Sequence, residues 1–123
     1  MTKPEELRER TKQFAIVIIK LFRLLPKTEE ARIIGRQLLR SGTSVAANYR
    51  AACRARSKAE FTAKIGVVVE EADETVFWLE LLIAAQITRH DQVVSLLTEA
   101  NELLAIFAAS QRTAKFANLP MAQ

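Results

Sequence analysis

Five arginines, Arg32, Arg36, Arg40, Arg50 and Arg54, recur at spacings of four and ten residues. At roughly 100° per residue they share one side of a helix, provided the chain between Arg40 and Arg50 stays helical. A row of guanidinium groups presents forked donors that suit phosphate oxygens. Arg56 and Lys58 extend the row, and no acid interrupts it between Arg40 and Lys58. The chemistry expected is contact with the backbone of RNA or DNA, which positions a polyanion without reading its bases. The competing reading is a structural or adaptor protein that binds a protein partner. Its arginines would meet Glu70, Glu71, Asp73 and Glu74 of a neighbouring subunit.

A second group has different chemistry. Ser41, Gly42, Ser44 and Asn48 are small or polar and lie within two helical turns. On the wheel that carries the arginines, Ser41, Ser44, Asn48 and Ala51 form a narrow strip at the border of an apolar face. Ile34, Leu38, Gly42, Val45, Tyr49 and Ala52 fall on that face. Short hydroxyl and amide side chains in such a place bond to another helix, or back to a carbonyl one turn earlier. The expectation is a satisfied structural seam, with Gly42 where another backbone comes close.

Nothing in the chain assembles into a catalytic centre. His90 and Cys53, each the sole residue of its type, stand well apart in sequence, and a general base needs its partners within hydrogen-bond reach. Cys53 lies near the apolar face, where a cysteine acts as a small core residue. The acids at 70–74 do not complete a bundle metal site, which pairs Glu-x-x-His motifs: the residue three before His90 is Ile87. There is no glycine-rich phosphate loop. No enzyme, metal or cofactor is expected.

These groups must be positioned by helices. Leu7, Phe14, Val17, Ile18, Leu21 and Leu24 keep helical spacing between Pro4 and Pro26, which suit a helix start and stop. Thr28, followed by Glu29 and Glu30, is a candidate N-cap for the second helix. Ser57 and Glu60 have capping-box spacing at the start of the third. Thr88 and Asp91 mark a fourth, with His90 in its first turn. The reading is four helices at about 5–25, 29–54, 58–87 and 89–112 with a loose C-terminal tail. They form a single-domain, all-α, antiparallel up-and-down four-helix bundle. Around "VFWLELLIAA" the apolar surface widens to nearly all sides, more than one buried stripe requires. Phe77, Trp78 and Leu81 are therefore expected to form an oligomer interface.

Composition agrees. The chain has 123 residues, half of them apolar, with three glycines and three prolines, a helical balance for one small core. Charge is uneven: residues 1–58 hold 14 Lys/Arg and 5 Asp/Glu, a balance of +9, and residues 59–123 hold 4 and 9, a balance of −5. The longest fully apolar run near the N-terminus, Phe14 to Ile19, is far short of the ~20 residues that span a bilayer. With one cysteine and no signal-like segment, a cytoplasmic protein with no membrane association is expected.

The segments "SGTSVAANYRAACRARSKAEF" and "KIGVVVEEADETVFWLELL" resemble the S23, or 23S-rRNA intervening-sequence, protein family from about Phe14 to Leu104. The shared features are a Ser-rich helical segment, an Asn, a basic Arg-Ser-Lys junction, Glu-Phe and an acidic Glu-x-x-Glu helix. Ser41, Ser44, Asn48, Arg56, Ser57, Lys58, Glu60, Phe61, Glu71 and Glu74 match them. Ala51 stands where the family usually has a Glu. The resemblance implies a pentamer of four-helix bundles, encoded in some members within insertions in ribosomal RNA genes. It extends to a similar fold, the accessory variability protein of diversity-generating retroelements, a basic pentamer that binds a reverse transcriptase and nucleic acid.

Overall fold

The computed structural model describes residues 3–117, apart from the side chains of His90 and Ala117. It holds four helices, α1 (Lys3–Leu24), α2 (Glu29–Cys53), α3 (Lys58–Ala84) and α4 (His90–Ala117). No strand occurs among the described residues. The expected tail after Arg112 is helical as far as Ala117. Residues 118–123 of that tail, and the solvation of the His90 side chain, lie outside the described residues.

Local chemistry sets the ends. Thr28 caps α2 with extended backbone angles, its side chain accepting from the Ala31 N–H. Ser57 caps α3 and accepts from the Glu60 N–H at 3.0 Å. Glu60 does not return the bond to Ser57: its Oε2 accepts from the Arg56 N–H, at 3.2 Å, so the box closes one residue earlier than its spacing implies. The periodicity of α3 runs to Ile87, yet the helix stops at Ala84. Gln86 takes a positive φ of 56°, and the N–H groups of Gln86 and Ile87 donate back to the carbonyls of Ile83 and Leu82. That is a Schellman stop with glutamine in the position glycine usually fills. Ile87 still packs on the core, which is why its apolar character continued the pattern.

α2 passes unbroken through Ser41–Ser44. Thr43 donates to the Leu39 carbonyl at 2.7 Å and Asn48 to the Ser44 carbonyl at 2.9 Å. Poor helix formers are thus held by bonds to the turn before. The helices pack as α1 on α2, α2 on α3, α3 on α4 and α4 on α1. The core draws on all four: Phe14, Ile18, Leu38, Val45, Ile65, Leu79, Leu82, Val93, Leu103 and Phe107 are buried there. Tyr49 and Phe107 meet with ring centroids 5.0 Å apart. By length and composition alone, the Asp91–Phe116 segment of α4 is apolar enough to cross a membrane; its Val93, Leu96, Ala100, Leu103 and Phe107 are spent on this core.

Two glycines set the approach of α1 to α2. A Cβ on Gly35 would lie 2.8 Å from Leu25 Cδ1, and one on Gly42 2.9 Å from Ile18 Cγ1. They are seven residues apart, hence on one face two turns apart.

Candidate nucleic-acid interface

The continuity of α2 puts the arginines on one side. Arg32, Arg36, Arg40, Arg50 and Arg54 are all exposed, as are Arg56 and Lys58 in the turn and at the start of α3. Their electrostatic circumstances differ. Arg40 reaches across to α3, where Nη1 donates to Glu71 Oε2 at 3.0 Å and Nη2 to Glu74 Oε2. The hydrogen bond to Glu74 is the main reason the Arg40 pKa is raised, and it fixes the guanidinium in place. Among the described residues, Arg32, Arg36, Arg50, Arg54 and Arg56 make no ion pair. The acids expected to meet a neighbouring subunit's arginines are therefore partly engaged within the chain.

A matching clamp joins α1 to α4. Arg10 donates to both oxygens of Glu99, at 2.5 and 2.8 Å, and to Glu102 at 2.8 Å. The Arg10 hydrogen bond holds the Glu99 carboxyl below the usual carboxylate range. Its stabilisation is accordingly full above the ordinary Glu pKa and fades as pH falls through the lowered value. Each clamp uses one arginine against Glu-x-x-Glu on the adjoining helix. As partly exposed pairs they contribute modestly, about 0.2–1 kcal/mol.

Beyond Gly42 the seam between α1 and α2 opens into a groove of about 930 Å³. Thr43, Ala46, Ala47 and Cys53 line it with small side chains, and Arg8, Lys12, Arg50 and Arg54 stand around it. Glu5 and Glu9 also line it. Arg8 is near enough to Tyr49 to act on its phenol, although burial first, and then a hydrogen bond with Cys53, push that pKa up. A neighbouring hollow, on the far side of Arg50 and Arg54, is lined by Arg56, Lys64 and Glu60. Wheel reasoning on α2 alone missed Arg8 and Lys12. Their helix mixes them with Glu5, Glu6, Glu9 and Arg10, so no stripe stands out.

The small polar strip is a seam between α2 and α3. Ser41 is fully buried; Ser44, Asn48 and Ala51 are half-buried. Thr75 Oγ1, also fully buried, donates to Ser41 Oγ at 2.9 Å, with the Glu71 carbonyl at 2.7 Å as its other acceptor. Ser41 Oγ in turn donates to the Leu38 carbonyl at 3.4 Å. These hydroxyls satisfy one another and have nothing to spare for a ligand. Thr75 was the unforeseen partner, since a wheel gives the face of a residue but not what it meets.

On the outer side of α3, Phe77 is 53% exposed and packs edge-on against Trp78, ring centroids 4.9 Å apart. Trp78 and Leu81 are half-buried. The Trp78 indole nitrogen is buried without an acceptor. No group of three or more His, Cys, Asp or Glu side chains suited to a metal occurs among the described residues.

Comparison with known proteins finds a match over residues 5–109 to the family described as 23S rRNA-intervening sequence protein. Among solved structures, the chain is similar to a crystal structure of a protein of unknown function from the S23 ribosomal protein family of Bacteroides thetaiotaomicron. The two share 32% identity with a TM-score of 0.82, covering 90% of this chain and 99% of the other. No match is found among curated proteins.

Proposed function

The chain belongs to the 23S rRNA-intervening sequence protein family, and from that premise we propose a non-enzymatic, single-domain, oligomeric four-helix bundle that binds RNA or DNA. The observation that carries the reading is the unpaired basic face: Arg32, Arg36, Arg50, Arg54 and Arg56 are exposed and make no ion pair among the described residues. Lys58 extends the face. Repetition around an oligomer multiplies weak phosphate contacts. Antiparallel neighbours are supported by the close approaches Leu25 to Gly35 and Ile18 to Gly42, in which one helix climbs as the other descends. The test is recovery of the protein from its native host, with bound nucleic acid and proteins both identified. Co-purifying nucleic acid that elutes as salt is raised supports the reading. A stoichiometric protein partner with no nucleic acid overturns it in favour of the adaptor.

Assembly through α3 rests on Phe77, Trp78 and Leu81. A buried N–H without an acceptor costs about 1–3 kcal/mol, a cost a neighbouring subunit would relieve by offering a carbonyl. Light scattering at micromolar concentration should therefore give a mass several times 13.8 kDa, with a pentamer as the family likeness implies. Trp78→Ala should weaken association by at least about 2 kcal/mol, the scale of a buried aromatic anchor, or roughly 30-fold in affinity. Unchanged assembly of this variant removes Trp78 from the interface, and a wild-type monomer removes the interface altogether.

A further inference from the structure

We propose that the groove between α1 and α2 is a track for the phosphate chain of a single-stranded nucleic acid, with Arg8 and Lys12 on one rim and Arg50 and Arg54 on the other. This rests on the nucleic-acid reading above and narrows it, since a row of arginines along α2 alone would suit a duplex equally well. Three features select the single strand.

The cations stand on both sides of a concave site, whereas a duplex is gripped by a convex ridge that enters its major groove. Packed helices lie only about 8–10 Å apart, so the groove between them admits one strand and excludes a double helix. The lining offers small side chains, Thr43, Ala46, Ala47 and Cys53, and no aromatic ring. Single-strand binders that hold bases use aromatic platforms; here the bases have none. The strand then lies with its phosphates inward and its bases outward, so that base identity matters little. The four cations outnumber Glu5 and Glu9 on the same groove, which leaves a net positive channel.

The experiment is fluorescence anisotropy with the intact protein and labelled twelve-nucleotide oligo-U, oligo-A and a twelve-base-pair RNA duplex at about 0.1 M salt. Both single strands should bind within about twofold of each other and at least tenfold tighter than the duplex. Arg8→Gln/Lys12→Gln should weaken oligo-U binding about 25-fold and flatten the salt dependence by about 1.4, from about 0.7 per phosphate on single strands. Lys20→Gln/Arg23→Gln, which removes as much charge from the other end of α1, should bind within twofold of wild type. As a readout without mutation, saturating oligo-U should slow alkylation of Cys53 at least severalfold. If wild type binds no nucleic acid, the functional reading itself fails. If it binds but the Arg8/Lys12 variant matches wild type, or Cys53 labels at the same rate with RNA bound, the groove assignment is overturned while the reading stands. Duplex binding as tight as single-strand binding also overturns it. So does a twelve-residue polyglutamate that displaces oligo-U at equal charge, which would assign the groove to an acidic peptide.

Discussion

Gly42→Leu should destabilise the fold by about 3 kcal/mol, the upper end of the usual overpacking range, and lower the melting temperature by about 10 °C for a chain of this length. A bare Cβ at this position already falls 2.9–3.2 Å from three atoms of Ile18, which is fully buried and has no free space to swing into. The remaining Leu atoms enter the same seam. Elsewhere on a helix the exchange would help, because leucine favours helix over glycine by several tenths of a kcal/mol. The sign of the effect is therefore diagnostic. Thermal unfolding followed by circular dichroism checks it, and an unchanged or raised melting temperature would mean that α1 does not approach α2 at Gly42.

That position also shows what could be read from the residues alone. The apolar and arginine patterns keep their phase from one end of α2 to the other, and two patterns in phase are the mark of one helix. Continuity through Ser41–Ser44, the exposure of the arginines and the close approach at Gly42 were all legible for this reason. What a single helix meets was not. Thr75 lies 34 residues from Ser41. The capture of Arg40 by Glu71 and Glu74 likewise depends on how α2 and α3 are set against each other. Arg8 and Lys12 join Arg50 and Arg54 only because two glycines bring the helices together. The end of α3 was misplaced by three residues for a local reason: Gln86 adopts a conformation that glycine ordinarily announces.

The second large effect is on binding. Arg36→Glu/Arg50→Glu/Arg54→Glu reverses three unpaired cations and should weaken binding of a single-stranded oligonucleotide by at least 100-fold at low salt. Three lost phosphate contacts alone amount to about two powers of ten at 0.1 M, and the introduced repulsion adds to that. Arg40 is left out by design. A Glu there would face Glu71 and Glu74, so a loss of binding would be confounded with a loss of packing between α2 and α3. The three positions chosen are exposed, so helicity and melting temperature should stay near wild type. If the variant dissociates into monomers instead, these arginines belong to contacts between subunits, and the adaptor reading replaces the nucleic-acid one.

The salt dependence of wild-type binding to oligo-U bears most directly on the claim that this family member grips a nucleic-acid backbone through an unpaired basic face. The measurement is a series of titrations from low to physiological salt. The account predicts a straight line of log affinity against log salt, with a slope of about −2 to −3, corresponding to three or four phosphates per binding site at about 0.7 each. Absence of binding at the lowest salt, or a slope near zero, would contradict it.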